Sequence, residues 1–133
     1  MQPRNVLLAE DDADDKDLFL EFLQHRTDIY LMPVAENGVV LWEWLEEIEE
    51  DKELPHLIIL DQNMPKRNGL QTLQLLKESA RYAHIPVMIY STYTDPQLIK
   101  NATQIGAHMV VQKPISKDYY NKMMDAFLEA GGH

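Results

Sequence analysis

Asp61 closes an apolar run, Leu57-Ile58-Ile59-Leu60, and is followed by Asn63-Met64-Pro65 and then Gly69. Three other short runs end on groups of complementary chemistry. Asn5-Val6-Leu7-Leu8-Ala9 leads into Glu10-Asp11-Asp12, Val87-Met88-Ile89-Tyr90 into Ser91-Thr92, and Val110-Val111-Gln112 into Lys113-Pro114. Acids, a hydroxyl and an amine, each at its own strand end, make up a site for a cation and a phosphoryl group. Carboxylates brought to about 4 Å repel by roughly 4 kcal/mol at an effective dielectric near 20. Such a cluster either raises a pKa or recruits a cation. Oxygen ligands with room for water suit Mg²⁺, which keeps several waters and binds through one or two carboxylates plus phosphate.

These groups must be positioned by the elements between them. Short, β-branched runs bounded by turn residues read as buried parallel strands. The expected strands are residues 5–9, 30–35, 57–60, 87–90 and 110–112. Helical spacing fills the gaps. Leu18, Phe19, Phe22 and Leu23 mark a first helix, and Asn37-Gly38 precedes a second over residues 39–50, with Leu41, Trp42, Leu45 and Ile48 on one face. Asn68-Gly69 opens a third, with Leu70, Leu73 and Leu76. Asp95-Pro96 starts a fourth as a capping carboxylate and a first-position proline, and Gly106-Ala107 closes it. Ser116 caps a last helix bearing Tyr119, Tyr120, Met123, Met124, Phe127 and Leu128. Five strands alternating with five helices imply right-handed crossovers and a parallel sheet covered on both faces. The expected fold is α/β, flavodoxin-like and doubly wound, with strand order 2-1-3-4-5 and the site at the switch point of the order.

In these motifs the chain resembles the receiver domains of two-component response regulators, and among them the single-domain, phytochrome-associated type. The motifs are Glu10-Asp11, Asp61 with Met64-Pro65 and Gly69, Ser91-Thr92, and Lys113-Pro114, in the family's order and spacing over nearly the whole chain. The resemblance implies one receiver domain over residues 1–130, a tail at 131–133 and no output domain. It implies that Asp61 accepts a phosphoryl group from a histidine kinase or a phosphotransfer protein. Asp11 and Asp61 then ligate Mg²⁺ directly, Glu10 acts through water, and Asn63 gives its backbone carbonyl. Ser91, Thr92 and Lys113 bind the phosphoryl group, while Asn63 and Tyr93 border the path of the attacking water and tune the lifetime. Pro65, Gly69 and Pro114 are structural, and the Lys113-Pro114 bond is expected to be cis. The family's aromatic switch residue, three positions before the lysine, is here Val110. Output is therefore expected through protein contacts at the fourth helix, last strand and last helix, by docking of a downstream protein or by homodimerisation.

Each of these residues also has a plainer reading. Glu10 and Asp11 could cap a helix, Lys113 could be a surface lysine and Ser91 a turn serine. Met64, Trp42 and Trp44 read as packing residues. Two other functions share the same residues. A haloacid-dehalogenase-like phosphatase also uses a nucleophilic Asp, a hydroxyl, a Lys and Mg²⁺, but it places a second Asp two positions on, where this chain has Asn63. A binding module of receiver fold that works without phosphorylation is the other.

Length and charge narrow the field. The chain has 133 residues, enough for one core. It carries 22 acidic and 12 basic residues, a net charge of −10 that repels a nucleic-acid backbone. Much of the acid lies in the run from Glu43 to Glu53, read as a solvated helix face and its exit loop. There are no cysteines, hence neither disulfides nor a thiol nucleophile. No apolar stretch nears the roughly 20 residues of a membrane span, and the first residues lack a signal-peptide pattern. A cytoplasmic protein without membrane or nucleic-acid partners is the expectation.

Overall fold

Strands and α-helices alternate in the computed structural model, which describes residues 2–131, with one short 3-10 turn at Asp51–Glu53 before the third strand. In chain order they are β1 (Arg4–Ala9), α1 (Ala13–Leu23), β2 (Ile29–Leu31), α2 (Gly38–Glu47), β3 (Leu57–Asp61), α3 (Gly69–Glu78), β4 (Val87–Ser91), α4 (Pro96–Ile105), β5 (Met109–Gln112) and α5 (Lys117–Gly131). The five strands form one sheet in the order 2-1-3-4-5, every pair parallel. This is the flavodoxin-like arrangement expected from the alternation.

All of β3 is buried, as a strand flanked on both sides and covered on both faces must be. Its side chains alternate between two cores. Ile58 and Leu60, with Leu7 and Ile89, pack against Leu41, Leu45, Leu73, Leu76 and Ala102 of α2, α3 and α4. Leu57 and Ile59, with Val6, Leu8, Met88 and Tyr90, pack against Phe19 and Leu23 of α1 and Tyr120, Met124 and Phe127 of α5. Trp42 and Trp44 lie half-buried against the first core, in the packing role expected of them.

Helix starts follow their capping residues. Asp12 caps α1 by accepting from the Asp15 amide at 2.9 Å, and Asp95 caps α4 by accepting from the Leu98 amide at 2.7 Å, with Pro96 behind it. Asn68 and Gln71 bond each other's backbone amides at the start of α3.

Four expectations are corrected. The second strand spans Ile29–Leu31 rather than residues 30–35, because its register against β1 slips there. The Met32 amide donates to the Val6 carbonyl at 3.0 Å, but the next bond runs from the Ala35 amide to the Leu8 carbonyl at 2.9 Å. That is three residues on against two, so one extra residue bulges from this edge strand, and pairing resumes only at the single bridge between Ala9 and Ala35. Helix α2 stops at Glu47 rather than at residue 50. Its cap residue, Ile48, is extended, and the Arg81 guanidinium takes the carbonyls of Ile48 and Glu49 at 2.5 and 3.4 Å while pairing with Asp51 at 2.9 Å. Extending the helix would also stack Glu46, Glu47, Glu49 and Glu50 at like-charge helical spacings. The Lys113-Pro114 bond is trans, since no peptide bond among the described residues is cis. Trans is the cheaper isomer by about 0.5–1 kcal/mol, and Lys113 reaches the acidic site from it. Gly131 is the last residue of α5 rather than part of a tail. A Cβ there would stand 2.7 Å from the Pro86 ring. Residues 132 and 133 lie outside the described residues. Among the described residues no helix is long and apolar enough to cross a membrane.

Candidate phosphoryl and metal site

The register of the sheet decides what meets at its C-terminal edge. Ala9 pairs with Leu60, Asp61 with Tyr90, and Ser91 with Gln112. The next residue of β1 is Glu10, and the residue after β5 is Lys113, whose amide donates to the Ser91 carbonyl at 2.8 Å. Oxygens of Glu10, Asp11 and Asp61 lie within 4.8 Å of one another. Glu10 and Asp61 are each 2% exposed, whereas Asp11 faces solvent. The Lys113 ammonium reaches in from the other side, 3.0 Å from Glu10 Oε1, 2.7 Å from Asp15 Oδ2 and 3.4 Å from Asp61 Oδ1.

The charges do not balance locally. Burial, then the hydrogen bond and charge of Glu10, push the Asp61 carboxyl up from 3.8 to about 8, against the opposing pull of Lys113. Burial acts against the Lys113 charge as well, but the hydrogen bonds of Asp15 and Glu10 overcome it and raise its pKa. The Tyr90 phenol is raised by burial and by the neighbouring Glu10; it donates to Glu10 Oε1 at 2.5 Å. Glu10 Oε2 accepts from the Asp12 amide at 3.2 Å. Glu10 is thus engaged through both oxygens, while Asp11 stays open to solvent. An all-oxygen set beside water fits a hard divalent cation that keeps part of its hydration shell, and the raised Asp61 carboxyl marks a shortfall of positive charge that such an ion would meet.

The segment after Asp61 is held by Gln62. Its amide N–H donates to the Tyr90 carbonyl at 3.2 Å, its carbonyl accepts from Gly69 at 3.1 Å, and its side-chain oxygen accepts from the Leu70 amide at 2.9 Å. These bonds draw Gly69 so close that a Cβ there would stand 2.8 Å from the Asp61 carbonyl. Lys66 has a φ of 65°, a left-handed residue in the same turn. The Asn63 amide N–H donates to Asp61 Oδ1 at 3.3 Å and fixes that carboxylate.

Of the residues singled out in the sequence, Glu10, Asp11, Asp61, Asn63 and Lys113 come together. Ser91 is buried at the end of β4, next to the Tyr90 that faces Asp61. Thr92 and Tyr93 are exposed, Tyr93 to 71%. Met64 is buried in the core beneath the loop, and Val110 is half-buried against the same core. Asp15, Tyr90 and Gln62 were not anticipated as site residues. Asp15 could have been found as the first-turn acid one helical turn beyond Asp11 and Asp12. Tyr90 and Gln62 flank named site residues but carry no signal of their own.

Comparisons with known proteins agree with this geometry. Residues 6–125 match the response regulator receiver domain. Response regulator Rcp1 from Synechocystis is 30% identical over 92 residues, covering 68% of this chain and 63% of that protein. The two-component response regulator ORR3 of Oryza sativa is 30% identical over 111 residues, covering 84% of this chain and 80% of that protein. The crystal structure of the Mn²⁺-bound form of Rcp1 superposes with a TM-score of 0.79 at 25% identity, over 96% of this chain and 93% of that one. Several curated relatives are longer proteins, of which this chain spans 15%, 63% and 48%. The acids and the lysine converging at one sheet edge, and the match over most of its length, give one answer: the chain belongs to the response regulator receiver domain family.

Proposed function

We propose that Asp61 accepts a phosphoryl group from the phosphohistidine of a histidine kinase or phosphotransfer protein, in a Mg²⁺-dependent reaction, and that the acyl phosphate is read by other proteins. The observation that carries this reading is the set around Asp61: a buried carboxylate with two acidic neighbours within 4.8 Å and an ammonium at 3.4 Å. An Asp61 oxygen forms the new O–P bond as the donor's P–N bond breaks, and the electron pair of that bond leaves on the imidazole nitrogen. Phosphoryl transfer asks mainly for positioning and charge neutralisation. Glu10, Asp11, Asp61 and the Asn63 carbonyl are the groups that would hold Mg²⁺, which when bound supplies positive charge to Asp61 and the phosphoryl oxygens. The manganese bound by Rcp1 supports a divalent cation here. Lys113 supplies a compact cation on the other side, and the Ser91 and Thr92 hydroxyls donate to phosphoryl oxygens. Such a protein works in the cytoplasm, and the exposed Ile99, Ile115 and Tyr119 offer it apolar contact surface for a downstream partner or a second copy.

Membership of the receiver family sets aside the dehalogenase-type phosphatase. A binding module indifferent to phosphorylation is separated by experiment. Incubation with acetyl phosphate and Mg²⁺ should place a hydroxylamine-labile phosphoryl group on the wild type and none on Asp61→Asn. Equal incorporation in the variant, or no incorporation in the wild type, refutes the proposal. Equal incorporation in EDTA refutes the metal requirement.

A further inference from the structure

We infer that Asp15 is a positioning residue that holds Lys113 back from Asp61, and that release of this ion pair carries the phosphorylation signal into α1. The inference rests on the phosphoacceptor reading and extends it to a residue outside the metal and phosphoryl ligands. An ammonium has three N–H bonds, and three carboxylates compete for those of Lys113. The shortest contact is to Asp15, at 2.7 Å, against 3.0 Å to Glu10 and 3.4 Å to Asp61. A phosphoryl oxygen on Asp61 must win one of these bonds. Glu10 is fixed from elsewhere by the Tyr90 hydroxyl and the Asp12 amide, and its side chain is fully buried. The Asp15 side chain is 29% exposed, so water can replace the lysine there at least cost. Asp15 is therefore the partner given up.

The consequence for α1 follows from where Asp15 sits. It lies in the first turn of the helix, its amide bonded to the cap residue Asp12 at 2.9 Å. Its ion pair ties that turn to the end of β5, 98 residues away in sequence. The Lys113 ammonium also lies over the Tyr90 ring, 5.1 Å from its centre, and Tyr90 meets Phe19 of α1 edge-on at 6.3 Å. Moving the ammonium toward a phosphoryl group loosens the first turn of α1 and shifts the ring contacts behind it. The face built by α1 and α5 reports the state of Asp61, in a chain whose Val110 has no ring to rotate.

The test uses the full chain with Asp15→Asn and Asp15→Glu. Initial rates of phosphoryl incorporation are measured with acetyl phosphate and Mg²⁺, and hydrogen exchange of α1 is measured with and without beryllium fluoride. Freed of its competitor, Lys113 should make Asp15→Asn incorporate about five-fold faster, the scale of one partly exposed ion pair. Asp15→Glu, which keeps the charge, should stay near the wild type. Beryllium fluoride should increase exchange in the first turn of α1 in the wild type, while Asp15→Asn should start high and not change. A purely structural Asp15 would lower stability without separating Asn from Glu in rate. The inference is overturned if Asp15→Asn is no faster than the wild type, if Asp15→Glu is as fast as Asn, or if α1 does not respond in the wild type. A wild type that takes no phosphoryl group removes the phosphoacceptor reading and this inference with it; a phosphorylated wild type with an unchanged Asp15→Asn removes this inference alone.

Discussion

Replacing Asp61 by Asn should make the metal-free protein more stable, and more so as the pH rises. The carboxyl sits at about 8 in the fold against 3.8 in its ordinary state. Its folded pKa is raised, so between these values the folded state holds more protons than the unfolded one, and stability falls as pH rises. The loss begins near the unfolded value, grows up to the folded one and then levels off. At about 1.4 kcal/mol per unit, a gap of about four units sets an upper bound near 6 kcal/mol. The attraction of Lys113, 3.4 Å away, is already contained in that raised value and adds no separate loss. The expectation is a gain of a few kcal/mol, at most about 5 kcal/mol, at about pH 8 and about 1 kcal/mol or less at about pH 4.5. For a chain of this size that is a rise in melting temperature on the order of 10 °C at the higher pH. Urea unfolding of both proteins in EDTA at the two pH values measures it. A variant no more stable than the wild type at the higher pH, or a gain that does not depend on pH, refutes the reasoning.

The same raised carboxyl should couple metal binding to protons. Asp61 must lose its proton to ligate, so Mg²⁺ affinity should rise by up to about tenfold per pH unit below about pH 8 and flatten above it; calorimetry in buffers of different ionisation heat should detect the released proton, and a flat affinity contradicts the shift. Gly69→Ala should slow phosphorylation about tenfold or more and destabilise the fold by roughly 1–3 kcal/mol, because its Cβ would press on the Asp61 carbonyl at 2.8 Å and on Gln62 at 2.9 Å; incorporation assays and denaturation check both effects. Tyr93→Ala should shorten the acyl-phosphate lifetime, since Tyr93 is an exposed ring two residues beyond Ser91 and its bulk would obstruct the attacking water; an unchanged or slower hydrolysis rate rejects this role.

The fold was legible wherever local signals and tertiary demands agree. The run from Leu57 to Leu60 reads as a buried strand because it is one, flanked on both sides, and Asp95-Pro96 and Asn68 cap the helices they announce. Misreadings arose where a distant residue overrides the local pattern. The end of α2 is set by Arg81, more than thirty residues on. The second strand is cut by a one-residue slip against β1, between the carbonyls of Val6 and Leu8, which exists only once β1 lies beside it. The site was legible as far as its residues end strands, because a parallel sheet gathers strand ends along one edge. Asp15 and Tyr90 escaped because their partners lie 98 and 80 residues away in sequence. Nothing next to them indicates those partners.

The most direct test of the central claim is to trap the acyl phosphate chemically. Wild-type protein treated with acetyl phosphate and Mg²⁺ is reduced with borohydride, which converts an aspartyl phosphate to homoserine, and the peptides are then sequenced by mass spectrometry. Homoserine at position 61, dependent on both the phosphodonor and Mg²⁺, is the result expected of a buried nucleophilic carboxylate flanked by Glu10, Asp11 and Lys113. Modification at another residue, or an unmodified Asp61 after full exposure to the donor, would contradict the account.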